Sequence, residues 1–408
     1  MHVLHIDRML FAPGGVTSYV QTLAALQRRR GDEVSFFGCD DPGRPGPAGP
    51  RGSMSLPEFV DFTATRNPLA LTRMIHDVQA ANSLARFLRL QQPIDIAHLH
   101  GIYHHLTPSI LPVLARRGIP MVMTVHDYRL ACPAKHFLRG GQTCMDCWPN
   151  RFWHATRCGG AGGAALAIES YFQRFFRRYI RWIEFFICPG PFMADVLRAA
   201  GVPGSKLVVA PNVVEPPAMP SGVARRDDQL LYVGRLSREK GPDLMLELAA
   251  ALGQVQVVIV GGGPMLEPLR QDIARRCLRN VTLAGSVPHK DIGRYLAEAT
   301  AVVLPSRCLE NSPQTMLEAM STGRCVIAAD HPTLRHWIND RETGRTFPSG
   351  DAAALATVVA EVLREPAQRK SMEQAAGERV KERHDSAAII EQLVGLYREA
   401  AARCALRW

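Results

Sequence analysis

The feature that most limits what this chain can fold into is a regular alternation of short apolar runs with amphipathic helical stretches. Residues 3–7, 33–37, 95–100 and 120–127 read as strands, with helices between them at the 3.6-residue period. A further helix over 164–183 leads into the strand FFICPG. Strands that alternate with helices form a parallel sheet covered on both faces, because a parallel connection needs a crossover. After Pro211-Asn212-Val213 the alternation begins again: strands at 230–234, 255–263, 281–285, 301–305 and 325–330, with helices between them. At 408 residues the chain is too long for one ordinary core and suits two domains of about 200 residues each. The expected division is an N-terminal Rossmann-like domain over 1–213 and a second over 214–386. The amphipathic segment 387–408 is expected to be a helix that crosses back to the first domain.

In open α/β sheets, ligands bind beyond the carboxyl ends of strands. Gly14-Gly15 follow the first strand, His126-Asp127 end another, and Gly234-Arg235 end the first strand of the second half, with Lys240-Gly241 shortly after. Gly261-Gly262-Gly263, Val287-Pro288 and Glu310 follow successive strands. Each alone is weak, since single Arg and Lys residues are usually solvated and Gly pairs usually make turns. GGGP also lacks the full G-x-G-x-x-G spacing of a dinucleotide site. Together they put two cations, two carboxylates, a histidine and several glycines on one cleft between the halves.

The segment PSRCLENSPQTMLEAMSTG is the most specific. Ser312 reads as the N-cap of a helix and Pro313 as its N1 residue, so that the amides of Gln314 and Thr315 face an anion seat. Glu310 precedes that helix and Glu318 lies inside it. Carboxylates flanking a phosphate seat suit a nucleotide-sugar, whose hydroxyls flank its phosphates. The bland alternative is a capped surface helix with two solvated acids.

The runs GRLSREKG, VIVGGGP, AGSVP and LENSPQTMLEAMSTG, with PGGVTSYV and TVHD in the first half, resemble glycosyltransferase family 4, whose retaining enzymes have the two-domain GT-B fold. The E-x7-E pattern is carried by Glu310 and Glu318. The resemblance implies that Arg235 and Lys240 hold the donor diphosphate, Glu318 the ribose hydroxyls and Glu310 the donor sugar. The backbone of Asn311, Ser312, Pro313, Gln314 and Thr315 would surround sugar and phosphate. His126 would sit over the sugar, Gly15 would let backbone approach, Gly262 would line the donor site, and Val287 and Pro288 would lie beside the base. The implied activity is transfer from a UDP- or GDP-sugar to a glycan or polyprenyl-linked acceptor, in cell-surface polysaccharide or glycolipid synthesis. No metal is required if the two cations neutralise the leaving group, and no DxD-like motif is present. Two departures stand out: Asn311-Ser312-Pro313 replaces the family's Gly-Phe-Gly, and residues 331–337 (HPTLRHW) replace its later Gly-Gly and glutamate. A nucleotide-sugar epimerase on the same scaffold and a non-catalytic GT-B subunit are the alternatives. The first needs further acid/base groups in the cleft; retention of both cations and both glutamates argues against the second.

Composition narrows the partners. A net charge of +10 favours anionic ligands or an anionic membrane surface, and no nucleic-acid module is recognisable. No run reaches the apolar length of a membrane span, and the opening MHVLHIDRM reads as a strand instead of a secretory signal, so a cytoplasmic protein is expected. The basic, aromatic stretch 170–187 reads either as a helix docking on a membrane or as a core helix with solvated arginines. Cys132, Cys144, Cys147 and Cys158, in an insertion over 130–160, have spacing suited to structural zinc; the alternative is four unligated thiols.

Overall fold

The computed structural model describes residues 1–8, 14–39, 72–158 and 163–406. The proline- and glycine-rich stretch 42–52, Pro13 of the glycine turn and the head of the expected helix at 69–71 lie outside the described residues. The chain divides into two compact units, Met1–Lys135 with Met145–Val213 and Ser386–Trp408, and His136–Cys144 with Val214–Asp385.

Unit 1 runs β1 (His2–Ile6), α1 (Gly15–Arg29), β2 (Glu33–Phe37), α2 (Val78–Leu90), β3 (Ile96–Leu99), α3 (Leu111–Ala115) and β4 (Met121–Thr124). A short hairpin, β5 (Leu138–Arg139) and β6 (Gln142–Thr143), follows and groups with unit 2. Unit 1 resumes with α4 (Gly163–Phe176), β7 (Ile183–Cys188), α5 (Pro191–Ala199) and β8 (Leu207–Val209). The sheet order is β2-β1-β3-β4-β7-β8, all parallel. Two expected helices shift. Asp77 caps α2 by accepting from Gln79 N at 2.8 Å and Ala80 N at 3.1 Å, so that helix begins at Val78, well after residue 69. The helix expected over 164–183 stops at Phe176, because the β-favouring run from Ile183 pairs with β4. The stretch 170–187 is therefore not one helix: Phe172 and Phe176 are buried on α4, and Phe185, Phe186 and Ile187 are strand core. Among the described residues no helix is long and apolar enough to cross a membrane.

Unit 2 runs β9 (Gln229–Val233), α6 (Asp243–Ala251), β10 (Gln256–Val260), α7 (Leu266–Arg275), β11 (Val281–Gly285), α8 (Ile292–Glu298), β12 (Ala301–Leu304), α9 (Gln314–Ser321), β13 (Cys325–Ala329), β14 (Arg345–Phe347), α10 (Ala352–Arg364) and α11 (Pro366–Arg383). Its parallel sheet has the order β11-β10-β9-β12-β13-β14, the Rossmann arrangement. Successive strand residues point to opposite faces, and here both faces are covered. Leu230, Tyr232, Val257, Ile259, Val303 and Ile327 pack with α6, α7 and α10 on one side. Leu231, Val302, Leu304, Val326 and Ala328 pack with α8, α9 and α11 on the other.

The last helix, α12 (Ser386–Ala405), belongs to unit 1. Ile389, Ile390, Leu393, Val394, Tyr397 and Ala400 recur at helical spacing and bury against Val3, Ile96, Val122 and Phe185 of the sheet and Tyr19, Val20 and Leu23 of α1. The helix expected from sequence to cross back is thus part of the unit 1 core. Leu393 is 1% exposed, so Leu393→Ala should cost about 2–5 kcal/mol. The cost should appear as a lower midpoint in urea unfolding; an unchanged midpoint would mean that α12 is not bearing on this core.

Candidate active site

In unit 2 the chain leaves β9 toward β10 and β11 on one side, then returns to β12 on the other. The loops after β9 and β12 depart in opposite senses, and the crevice at such a reversal is where open sheets hold ligands. The two loops are stitched together. The Glu239 carbonyl accepts from Arg307 N at 2.8 Å and Cys308 N at 3.2 Å, and the Arg307 guanidinium pairs with Asp243 at 2.8 Å. Gly241 has φ +67°, and a Cβ there would stand 2.2 Å from the Pro305 carbonyl oxygen, so only glycine admits this approach.

That stitching brings Lys240 onto Glu310. The ammonium donates to both carboxylate oxygens, at 2.6 and 2.7 Å, and Ser306 Oγ donates to the same carboxylate. Glu310 is 7% exposed. Burial pushes its pKa up, but the Lys240 charge and the hydrogen bonds from Lys240 and Ser306 outweigh burial and hold it below the ordinary value. Lys240 is shifted the other way: burial lowers it, yet Glu310 holds it above the ordinary lysine range. His331, from the segment that departs from the family pattern, is buried and lies 2.7 Å through Nε2 from the Ser306 carbonyl. It steadies the loop that carries Glu310.

About one turn into α9, Glu318 is 6% exposed and lies 2.8 Å from His289 Nε2. That hydrogen bond outweighs partial burial and raises the His289 pKa. The start of α9 corrects the sequence reading. Pro313, with φ −69° and ψ 116°, holds the cap position, the helix begins at Gln314, and no side chain caps it. The non-helical ψ of the proline leaves Ser312 one residue too far out to serve as N-cap. Ser312 Oγ and Gln314 Nε2 are instead buried without hydrogen-bond partners. Orphaned polar atoms beside the unsatisfied amides of a helix N-terminus are what a polar, anionic ligand would satisfy. Arg235 is exposed at the end of β9, with no ion pair among the described residues. Its carbonyl accepts from Tyr232 Oη at 2.8 Å.

Other expected residues fall as follows. Val287 is partly buried and Pro288 exposed after β11, beside His289. Of the glycine triplet, Gly262 is not the sterically required one; a Cβ there meets Ser286 at an ordinary 3.5 Å, whereas one on Gly261 would lie 1.9 Å from the Gly234 carbonyl oxygen. Gly15 is the exposed first residue of α1. Asn311 and Thr315 flank the α9 start, with Thr315 Oγ1 donating to the Val233 carbonyl at 3.3 Å. Sequence reasoning missed His289 and Ser306, and named His331 only as part of the 331–337 departure. Only the position of His289 just after the noted Val287-Pro288 pair could have flagged it.

In unit 1, His126 follows β4, partly exposed, with Nε2 3.0 Å from His100 Nδ1 and the ring of Tyr19 edge-on at 5.0 Å. Behind it His5, His98 and His100 are buried. Burial lowers the pKa of all four, to about 4 for His5 and His126 and well below the ordinary value for the other two. The four-cysteine expectation fares differently. Cys144 groups with unit 2 and Cys132, Cys147 and Cys158 with unit 1. Among the described residues, the only set of three or more potential ligand atoms within 4.8 Å is His5, His98 and His100. Among the described residues the four thiols form no such set. The histidine set is no cage either: hydrogen bonds engage all six ring nitrogens.

Comparison with known proteins agrees with this geometry. A family model described as Glycosyltransferase Family 4 matches residues 13–216, and one described as Glycosyl transferases group 1 matches residues 220–379. A phosphatidyl-myo-inositol mannosyltransferase of Mycobacterium leprae is 26% identical over 95% of this chain and 94% of its own length. An alpha-D-kanosaminyltransferase of Streptomyces kanamyceticus is 34% identical over 42% of this chain and 45% of its own. Among solved structures, sucrose-phosphate synthase from Thermosynechococcus elongatus superposes with a TM-score of 0.72 at 20% identity, over 98% of this chain and 99% of that one. Anabaena HepE, solved in complex with UDP-glucose, gives 0.65 at 18% identity, over 98% and 100%. At such identities the likeness concerns the fold, which is GT-B.

The buried histidines generate a pH prediction. Unfolded imidazoles take up protons as pH falls through about 6.5, whereas folded His5 and His126 do so only near pH 4. Between those values the unfolded state binds more protons, so stability falls with pH, by about 1.4 kcal/mol per pH unit for each such proton. His289 acts oppositely but is half-exposed and screened. The thermal midpoint should therefore drop steadily from pH 7 to pH 5; a flat midpoint would mean that the folded imidazoles titrate like unfolded ones.

Proposed function

Because this chain belongs to glycosyltransferase family 4, we propose that it is a retaining enzyme that moves a sugar from a UDP- or GDP-sugar to a glycan or lipid-linked acceptor, in cell-surface polysaccharide or glycolipid synthesis. The observation that carries the reading is the Lys240–Glu310 pair beside the uncapped start of α9. A diphosphate at that helix end would draw on Lys240, exposed Arg235 and the first amides of α9, while Glu310 accepts hydrogen bonds from the donor sugar and Glu318 from the ribose. Val287 and Pro288 line the base. Lys240 neutralises Glu310, which keeps the carboxylate ionised and its oxygens in place.

In transfer, the bond from the anomeric carbon to the diphosphate oxygen breaks as the acceptor hydroxyl oxygen bonds to that carbon on the same face. The hydroxyl proton passes to the departing diphosphate oxygen. Fixed cations and amides aimed at the leaving group stabilise its growing charge without reorganisation, each worth on the order of 3 kcal/mol. The mannosyltransferase likeness along the whole chain supports a lipid-linked acceptor, and the basic charge supports contact with an anionic membrane at the inner face.

Incubating the protein with UDP- and GDP-sugars and an acceptor extract should give a product whose anomeric configuration, read by NMR coupling, matches the donor. An inverted product would refute the retaining assignment. Two variants separate the roles. Lys240→Ala should weaken nucleoside-diphosphate binding by about 10–100-fold in calorimetry, as expected for a lost charge-assisted contact of about 1.5–3 kcal/mol. Glu310→Gln should leave that affinity equal or tighter, because Lys240 loses its internal competitor, while turnover falls at least tenfold. If Glu310→Gln instead weakened the diphosphate and spared turnover, the two assignments would be reversed.

A further inference from the structure

Seven residues of unit 1 form one continuous buried hydrogen-bond chain that ends at His126. His98 Nε2 lies 2.7 Å from Thr124 Oγ1, and His98 Nδ1 lies 2.7 Å from Tyr397 Oη. Gln27 Nε2 donates to Tyr397 Oη at 3.2 Å. Gln27 Oε1 lies 2.7 Å from His5 Nε2, and His5 Nδ1 lies 3.0 Å from His100 Nε2. His100 Nδ1 then meets His126 Nε2 at 3.0 Å. Every member except His126 is at most 1% exposed. The strands explain the line-up. His5 and His98 are register partners on neighbouring β1 and β3, and His98 and His100 share one face at the two-residue strand period.

Burial keeps these imidazoles neutral, and a neutral imidazole carries one N–H donor and one bare acceptor nitrogen. The chain therefore has a direction, and the Gln27 amide sets it. Its NH2 is committed to Tyr397, so its oxygen must accept, which puts the His5 proton on Nε2. His5 Nδ1 is then an acceptor, so His100 carries its proton on Nε2. His100 Nδ1 accepts in turn, and His126 must hold its proton on Nε2. In the other arm Tyr397 donates to His98 Nδ1, and His98 Nε2–H donates to Thr124. Each group donates once and accepts once along the chain, with no conflict. Reversing it would require turning over the amide, four imidazole tautomers and the Tyr397 and Thr124 hydroxyls together. His126 is left with Nδ1 bare and without a partner among the described residues.

We propose that this chain is a tautomer relay, in which the Gln27 amide, acting through His5 and His100, fixes His126 as the Nε2–H form and so presents Nδ1 as a hydrogen-bond acceptor for a sugar hydroxyl. Gln27, His5 and His100 are positioning residues; His126 alone touches substrate. The proposal rests on the reading of His126 as a sugar contact. A histidine in the other tautomer would turn an N–H toward the same hydroxyl and demand the reverse hydrogen bond. The relay removes that choice before substrate arrives, which lowers the ordering cost of binding the reactive geometry.

The test uses the full chain labelled with 15N-histidine, with His126 assigned by the signal lost in His126→Gln. Long-range 1H–15N spectra of the unliganded protein should show His5, His100 and His126 as Nε2–H tautomers. In Gln27→Met, of similar shape but with no oxygen to accept, His126 should become a tautomer mixture. Its kcat should fall fivefold or more, with the donor KM changed less than twofold. An Nδ1–H tautomer at His126 in the unsubstituted protein overturns the relay, and that measurement stands even if Gln27→Met does not fold. An unchanged His126 spectrum in a folded Gln27→Met also overturns it. If the tautomers scramble while kcat holds, the relay exists but the sugar-contact reading of His126 falls.

Discussion

The ion pair between Lys240 and Glu310 is the interaction on which the rest of unit 2 turns. It exists because the sheet reverses its direction of growth at β9 and β12, so two loops distant in sequence leave adjacent strand ends. The glycine at 241, the Glu239 carbonyl and the Arg307–Asp243 pair hold those loops close enough for the charges to meet. A partly buried pair of this kind gives little net stability, since desolvation consumes most of the Coulombic gain. Its value is in placement. It keeps a carboxylate ionised and pairs it with a cation in the loop just ahead of a helix that no side chain caps.

Unit 1 solves a different problem with neutral groups. Four imidazoles in contact would repel if protonated, and burial removes that possibility by favouring the uncharged form. What remains is a set of directional hydrogen bonds in which one amide orientation is communicated across the sheet. The terminal helix contributes Tyr397 to this chain as well as Leu393 and its neighbours to the core. Its packing and its polar contact thus make the same demand on register, an agreement of the kind that specifies one structure.

Much of this was legible in the sequence. The strands at 33–37 and 281–285 read directly from short runs of β-branched and aromatic residues, although both are partly buried edge strands. The E-x7-E segment and the glycine-rich strand ends pointed to a sugar-nucleotide enzyme. The failures have local physical causes. Ser312 looked like a cap, but Pro313 keeps an extended ψ and shifts the helix start by one residue. The 170–187 stretch looked like one helix, but Ile183–Cys188 has a stronger claim from the edge of β4.

The chain's order of residues settled which segments are strands and helices, that they build two parallel-sheet units, and which family they belong to. Those properties follow from periodicity, turn chemistry and motif spacing, all local. Tertiary structure alone decided that Lys240 meets Glu310 across 70 residues, that His289 lies against Glu318, and that Tyr397 reaches His98 from the far end of the chain. Such pairings depend on strand order and on which loops share a crevice. Neither leaves a mark on the sequence near the residues concerned, because partners brought together by a crossover need match only in space.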